Sequence, residues 1–172
     1  MAFSYVTEPG PINAALFQVT HGLYILTTKN GDRINGQCLD ALMQVTNAPP
    51  RVVIGVGNKS LTHDVICKSG QFGISVLDRE NPACSEVIKR FGFQSGHDVD
   101  KFADFVHELS DQGIPFLPDA VAVYTCTVIS EKTVDLGTHS LFIASVDSAR
   151  TRGDGEPLTY NEYRNTLRKK RS

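Results

Sequence analysis

Lys59, Ser60 and Thr62 are the residues of this chain best suited to bind an anion. A lysine supplies a point charge, and the two hydroxyl groups supply hydrogen-bond donors. They stand where a predicted strand passes into a predicted helix, whose free N–H groups and dipole favour a phosphate. The pattern predicts a phosphate site, and a capped surface helix with a solvated lysine is the alternative.

A second candidate is the NGQC stretch, which runs from Asn35 through Gln37 to Cys38. Gly36 lies inside a predicted strand, where a glycine marks either the close approach of a ligand or a β-bulge. In the first case, exposed backbone groups would bind a flat heteroaromatic ring. In the second case, the glycine would only help to curve a barrel.

His139 lies between a predicted turn and an apolar strand, which places its ring at the rim of a barrel. The ring could face a bound ligand there, or it could serve only in packing and hydrogen bonding. The other histidines share no metal-ligand spacing, so we expect no metal site. The chain lacks a G-x-G-x-x-G motif, which argues against a Rossmann dinucleotide site, and it also lacks a G-x-S-x-G elbow and a P-loop.

The composition predicts one ordinary globular domain over residues 1–172. A net charge of −2 argues against a nucleic-acid or membrane-surface partner, because such proteins usually carry a basic face. We expect neither a secretory signal nor a membrane-spanning segment. Four dispersed cysteines without a C-x-x-C pair predict reduced thiols in a cytoplasmic protein.

Hydrophobic periodicity predicts a mainly β protein with a few short peripheral helices. One helix is expected over residues 61–68, capped by Ser60 or Thr62 and ended by Gly70, and another is opened by Asn81. A short amphipathic segment covers residues 12–19, residues 93–118 look irregular, and a basic tail covers 165–172. Strands are predicted over residues 23–28, 34–45, 51–57, 72–77, 121–129 and 141–146. Without regular β–α alternation, these elements favour a barrel over a doubly wound sheet.

Several short segments, each weak alone, occur together in one order between about residues 12 and 164. In these segments the chain resembles the flavin reductase-like proteins of the FMN-binding split-barrel class, which include flavoredoxin-type and ferric-reductase-type members. The segments are HGLY at 21–24, INGQ at 34–37, MQVTNAPP at 43–50, NKSLTH at 58–63, FGISVL at 72–77, RFGFQSG at 90–96, DKF at 100–102, LGTH at 136–139 and PLTY at 157–160.

The resemblance implies a Greek-key split barrel that forms a homodimer, with flavin mononucleotide (FMN) near the subunit interface. It implies that the ribityl phosphate of FMN meets Lys59, Ser60 and Thr62, and that the isoalloxazine ring lies along the second strand. The strand residues so assigned to the cofactor are Asn35, Gln37, Cys38, Leu39, Asp40 and Ala41.

By the same resemblance, the loop with Phe93 and Ser95, together with Lys101, would approach the flavin or a nicotinamide donor. His139 would face the flavin region, where it could orient a nicotinamide or donate a hydrogen bond to the flavin.

Two departures from the family pattern concern the expected ring site. Asp40 and Ala41 stand where many members carry Asn and Ser, and a carboxylate close to the ring would disfavour an anionic reduced flavin. Cys38 stands where many relatives carry Thr, and backbone contacts to the ring would survive that change.

The activity implied by the resemblance is that of an oxidoreductase. It would take reducing equivalents from NAD(P)H and pass them through FMN to free flavin, ferric iron or a protein acceptor. The alternative is an FMN-binding electron-transfer module that is reduced by a partner protein and has no nicotinamide site of its own. A third possibility is a barrel that has lost flavin and binds another ligand. The chain has no rubredoxin-like cysteine pairs, so an iron centre would belong to a redox protein partner.

Overall fold

The computed structural model describes residues 5–167, and the basic run from Arg168 to Arg171 lies outside this range. The helices are α1 (Pro9–Leu16), α2 (Leu61–Ser69), α3 (Cys84–Gly92) and α4 (Tyr160–Glu162), with a 3-10 turn at Ser130–Lys132 and a π-helical turn at Tyr163–Leu167. The strands are β1 (Tyr24–Asn30), β2 (Arg33–Leu39), β3 (Leu42–Asn47), β4 (Pro50–Gly57), β5 (Gln71–Val76), β6 (Glu108–Leu109), β7 (Pro115–Phe116), β8 (Ala122–Val128), β9 (Val134–Asp135) and β10 (His139–Thr151). None of the helices in residues 5–167 is long and apolar enough to cross a membrane.

The main sheet is antiparallel and has the strand order β2-β1-β5-β8-β10-β4-β3. β5, β8 and β10 lie side by side in the order in which they occur in the chain, and β4, which precedes them, lies beside β10. This is a Greek-key arrangement. Among the described residues no hydrogen-bonded ladder joins the two edge strands, β2 and β3, although they follow each other in the chain. The predicted mainly β barrel with Greek-key topology and a split between two strands is therefore confirmed.

Two apolar layers stabilise the barrel. Leu26 of β1 packs inside it with residues of β4, β5, β8 and β10, and Ile66 of α2 joins this inner cluster. Ile25 points the other way, into an outer cluster with Phe91 of α3. Adjacent strand residues face opposite sides of a sheet, so β1 serves both layers. Each fully buried side chain of this size contributes about 1.5–3 kcal/mol to folding.

Several local predictions about α2 and the first hairpin are confirmed. Asn30 pairs with Arg33 across the first turn, as the Asn-Gly sequence predicts. Ser60 caps α2 by accepting a hydrogen bond from the His63 N–H at 3.1 Å. Gly70 ends the helix in the left-handed conformation, with φ of 68°, which glycine adopts without strain.

The predicted strand over residues 34–45 is wrong in one respect, because the chain divides it at Asp40 and Ala41. β2 pairs with β1, whereas β3 pairs with β4 at the opposite edge of the sheet. Leu39 at the end of β2 and Leu42 at the start of β3 both pack with the inner cluster, so apolar residues flank the break on both sides. Asp40 and Ala41 therefore form the seam of the split barrel rather than the middle of a strand.

Three other differences from the predictions exceed two residues. β10 extends beyond the predicted 141–146 because, after its pairing with β4, it goes on pairing with β8 past a bulge near Val146. The region 93–118, predicted to be irregular, contains the short β6–β7 ladder. α1 begins at Pro9, which is suited to the first helical position, so it starts earlier than the predicted segment 12–19.

Candidate functional site

The fold brings most of the predicted binding residues to one cavity. This cavity, of about 390 Å³, lies between the end of β2, the start of α2 and the loop that follows α3. The predicted residues that line it are Asn35, Gln37, Cys38, Lys59, Ser60, Thr62, Ser95 and Lys101. We call it the phosphate-side cavity, because it contains the residues predicted to bind an anion.

A second cavity, of about 270 Å³, adjoins the first and shares Cys38 and Gly92 with it. Its walls include the aromatic rings of Tyr160 and Tyr163, so we call it the aromatic cavity. The predicted residues Leu39, Asp40 and Phe93 lie here. The two predicted residues outside both cavities are Ala41, which lies beside Gly55, and His139, which lies beside Gly57.

The phosphate-side cavity ends at the first turn of α2. The Ser60 hydroxyl donates to the Gly57 carbonyl at 2.9 Å while it accepts from His63, so it holds the turn together. The amides of Leu61 and Thr62 belong to the first helical turn, where N–H groups have no partner within the helix. Lys59, between the cap and the strand, is exposed. The groups available to an anion at this end are thus amides and one ammonium group.

Thr62 connects α2 to β2 rather than facing solvent. Its side chain is 1% exposed, and its hydroxyl oxygen accepts a hydrogen bond from Asn35 Nδ2 at 2.8 Å. Asn35 is itself 4% exposed. Replacing either side chain with an apolar one would leave a buried polar group unpaired, so this pair fixes the distance between the two walls of the cavity.

Lys101 lies on the opposite wall and is 5% exposed. Its ammonium group donates to the Gly36 carbonyl at 3.0 Å and to the Phe91 carbonyl at 3.1 Å. Phe91 belongs to the last turn of α3, where carbonyls lack helical partners and carry partial negative charge. Burial lowers the pKa of Lys101. Lys101 therefore ties the loop after α3 to β2 and also places a positive charge beside the cavity.

The structure rules out a bulge at Gly36 and gives the glycine a packing role. Its pairing with Thr27 is regular, so there is no bulge at this point. A Cβ atom here would lie 3.0 Å from the Phe91 ring and 3.1 Å from the Leu26 carbonyl oxygen. The close approach that requires a glycine at this position is that of an aromatic side chain of α3.

Cys38 is not suited to act as a nucleophile. Burial, and secondarily the Asp40 carboxylate, raise the pKa of its thiol to about 12, so the thiol stays protonated at neutral pH. Asp40 itself is half-buried, and in the part of the chain that the structure describes its carboxylate has no hydrogen-bond or ion-pair partner. The aromatic cavity therefore carries an unneutralised negative charge at its edge.

Sequence reasoning missed a group of polar residues behind the α2 turn. His63, one of the histidines without metal-ligand spacing, hydrogen-bonds to Ser140, and Ser140 hydrogen-bonds to Asn58. Ser140 lies 77 positions after His63 and 82 positions after Asn58 in the chain. The NKSLTH segment contains the asparagine and the histidine, but no local pattern could have supplied their common partner on β10.

Comparison with known proteins assigns most of the chain to one family. Residues 16–167 match the family model described as flavin reductase like domain. Over 154 residues the chain is 43% identical to high molecular weight rubredoxin of Moorella thermoacetica, with 90% of this chain covered. It spans 66% of the length of that relative. Over 150 residues it is 35% identical to ferric-chelate reductase (NAD(P)H) of Archaeoglobus fulgidus, covering 87% of this chain and 86% of the relative.

Solved structures show the same fold. The NADH:FAD oxidoreductase SgcE6 of Streptomyces globisporus C-1027 superposes with a TM-score of 0.80 at 21% identity, covering 91% of this chain and 92% of the other. Flavin reductase PheA2 superposes with a TM-score of 0.74 at 24% identity, covering 89% of this chain and 93% of the other. At such identities the likeness concerns the fold, and it agrees with the split barrel described above.

Proposed function

The chain belongs to the flavin reductase-like family, and from this premise we propose that it binds FMN and passes electrons from NAD(P)H through the flavin. The final acceptor would be free flavin, ferric iron or a redox protein. When bound, FMN supplies the redox chemistry, and the protein supplies binding, orientation and electrostatics. The relatives named ferric-chelate reductase (NAD(P)H) and FMN reductase (NADH) support this proposal.

The observation that carries the proposal is the donor set at the α2 end of the phosphate-side cavity. Amides of the first helical turn and the exposed Lys59 ammonium group converge there, and this combination suits a phosphate monoester. Lys101 adds positive charge from the opposite wall. The residues present therefore fit the phosphate end of FMN.

The connection between the two cavities supports a place for the flavin ring. Cys38 lines both, so an elongated ligand anchored at α2 can extend along β2 towards Phe93 and Tyr160. The backbone from Gln37 to Leu39 would then run beside the ring. The Asp40 carboxylate, which has no partner among residues 5–167, lies at that end and would oppose negative charge on the ring.

For His139 we propose a role at the nicotinamide side of the flavin. Its exposed ring lies at the start of β10, beside Gly57. The turn into α2 begins at Gly57. A His139→Gln variant should reduce the rate of reduction by NADH and leave the FMN dissociation constant unchanged. An unchanged rate would remove His139 from the mechanism.

The second candidate function is an electron-transfer module reduced by a partner protein. The observation in its favour is the relative at 43% identity, which is named high molecular weight rubredoxin. In this case the chain would bind FMN but react slowly with nicotinamides.

One experiment separates these functions. The purified protein is saturated with FMN and mixed anaerobically with NADH or NADPH in a stopped-flow instrument, while the visible flavin band is followed. Bleaching within seconds supports the reductase. A stable band that bleaches only with a reduced redox protein supports the transfer module. A protein that takes up no FMN would contradict both.

We also propose that the chain forms a homodimer through the outer face of β3, β4 and β10. Met43 lies opposite Val53, which lies opposite Ile143, and directly paired residues share a face of the sheet. In the next row, Leu141 lies opposite Val134. Met43 is 60% exposed and Val134 is 46% exposed, so this apolar face remains open to water in the single chain.

The homodimer is tested by light scattering after gel filtration. The mass should be twice the 18.8 kDa of one chain, and Met43→Asp combined with Val134→Asp should lower it to that of one chain. Val106→Asp, at a position 79% exposed elsewhere on the surface, is the matched control and should leave the mass unchanged. A wild-type protein with the mass of one chain would refute the homodimer.

A cytoplasmic location completes the proposal. The four cysteines are free thiols, which a reducing compartment maintains.

A further inference from the structure

The turn that carries Lys59 is held from behind by a chain of side-chain hydrogen bonds. His63 Nε2 lies 3.0 Å from Ser140 Oγ, and Ser140 Oγ lies 2.9 Å from Asn58 Oδ1. Asn58 Nδ2 lies 3.1 Å from Asp135 Oδ1 and 3.3 Å from the Gly137 carbonyl oxygen. We call the three residues Asn58, Ser140 and His63 the relay. It links the start of α2 to β10 and to the β9 turn.

The direction of every hydrogen bond in the relay follows from counting protons. Asp135 and the Gly137 carbonyl can only accept, so the Asn58 amide must turn its NH₂ group towards them. Its oxygen therefore faces Ser140 and takes the single hydroxyl proton. Ser140 has only lone pairs left for His63, so Nε2 of the imidazole must carry a proton and donate it.

The carboxylate that sets this direction is itself held in place. The Gly137 N–H donates to Asp135 Oδ1 at 2.8 Å, and this bond, followed by the Asn58 bond, lowers the pKa of Asp135. Asp135 is therefore ionised at neutral pH, and the polarity of the relay is fixed.

The part of the relay formed by Ser140 and His63 is largely shielded from water. Ser140 is 6% exposed, the His63 side chain is 16% exposed, and its ring packs against Phe142 with centroids 5.5 Å apart. A hydrogen bond in such surroundings is costly to lose, because the groups left behind have little access to water.

Lys59 is fixed on both sides by this arrangement. Asn58 precedes it and is held by the relay, and its backbone N–H donates to the Thr138 carbonyl at 3.0 Å. Ser60 follows it and is held by the cap. Within the part of the chain that the structure describes, the Lys59 ammonium group has no hydrogen-bond or ion-pair partner, so the turn is rigid while its cation remains available to a ligand.

We propose that His63, Ser140 and Asn58 are positioning residues for the phosphate of FMN, acting by fixing the turn that presents Lys59 and the first amides of α2. The inference rests on the proposed function, because it takes FMN as the ligand. None of the three residues needs to touch the phosphate. A turn fixed before binding loses less conformational freedom when the phosphate arrives, and this gain is confined to ligands that carry a phosphate.

The experiment compares FMN with riboflavin, which lacks the phosphate, by flavin fluorescence quenching at equilibrium. Ser140→Ala and His63→Leu break the relay, His63→Gln keeps an N–H donor, and Ser145→Ala is a matched serine on the same strand. Both relay-breaking variants should weaken FMN binding by roughly fivefold to tenfold, the scale of one net hydrogen bond. Riboflavin binding should not change, and His63→Gln and Ser145→Ala should bind FMN like the wild type.

The remaining outcomes overturn specific claims. Equal losses for FMN and riboflavin would show that the relay supports the fold in general and would refute a phosphate-specific role. Unchanged FMN binding in Ser140→Ala would refute it as well. A folded wild-type protein that does not bind FMN would refute the proposed function, and the inference with it, whereas every outcome in which the wild type binds FMN leaves the proposed function standing.

Discussion

Two lysines reach the same cavity from opposite walls and differ in almost everything except charge. Lys59 is exposed on the turn before α2, and within residues 5–167 its ammonium group has no hydrogen-bond or ion-pair partner. Lys101 is 5% exposed and donates to two backbone carbonyls, on β2 and at the end of α3. The first has its bonding capacity free for a ligand, whereas the second uses most of its capacity within the protein.

The difference shows that the surroundings of a cation decide its role. Water solvates Lys59, so losing its charge costs the fold almost nothing, and a phosphate can take the place of that water. Lys101 has exchanged water for the carbonyls of Gly36 and Phe91, which would otherwise be buried without partners. Its main role is to bond these two carbonyls, and its positive charge near the cavity is a secondary consequence of that position.

The largest expected effect is on stability at Lys101. Lys101→Met should lower the free energy of unfolding by about 2–4 kcal/mol, because it leaves two buried carbonyls unpaired. Lys59→Met should change it by less than ~0.5 kcal/mol, as is usual at exposed positions. Urea denaturation followed by circular dichroism measures both values. Equal effects of the two substitutions would remove the distinction between the lysines.

The next effect is on ligand binding, and here Lys59 is the lysine whose replacement matters. Lys59→Met should weaken FMN binding by about tenfold, because one charge-assisted contact to the phosphate is lost. Riboflavin binding should be unchanged, and Lys59→Arg should retain most of the FMN affinity. The measurement is fluorescence quenching at two salt concentrations, and the wild type should show the steeper salt dependence. An FMN affinity that is insensitive to Lys59 would move the phosphate away from α2.

The contrast between the lysines also shows what the sequence could predict. The start of α2, the Ser60 cap and the Gly70 end follow from residues close together in the chain, and all three were predictable. The break between β2 and β3 was not, because no glycine or proline marks it and apolar residues flank Asp40 and Ala41 on both sides.

Contacts between distant residues were likewise beyond local patterns. The Lys101 bond to Gly36 joins positions 65 apart, and only the fold brings them together. The DKF segment indicated a cation near the cavity, but its attachment to two carbonyls depends on where α3 ends. The family resemblance placed the residues in one region, and the side-chain contacts then assigned different tasks to them.

The smallest expected effect is on the pH dependence of stability. Burial lowers the pKa of Lys101 below its usual 10.5. At pH values between the lowered pKa and 10.5, the folded protein therefore binds fewer protons at this site than the unfolded chain does. The contribution of the site to the free energy of unfolding therefore rises with pH across that window. The stability gap between the wild type and Lys101→Met should widen towards pH 10.5, by at most ~1.4 kcal/mol per pH unit.

Urea denaturation at about pH 7, 8.5 and 10 measures this gap, with Lys59→Met as the control whose gap should stay constant. Burial raises the pKa of the Cys38 and Cys126 thiols to about 12, which destabilises every variant at alkaline pH, but this contribution cancels in each difference. A gap for Lys101→Met that narrows as the pH rises would mean that the folded protein stabilises the charged ammonium group more than water does. Lys101 would then resemble a lysine paired with an anion, and the contrast with Lys59 would have to rest on the carbonyl contacts alone.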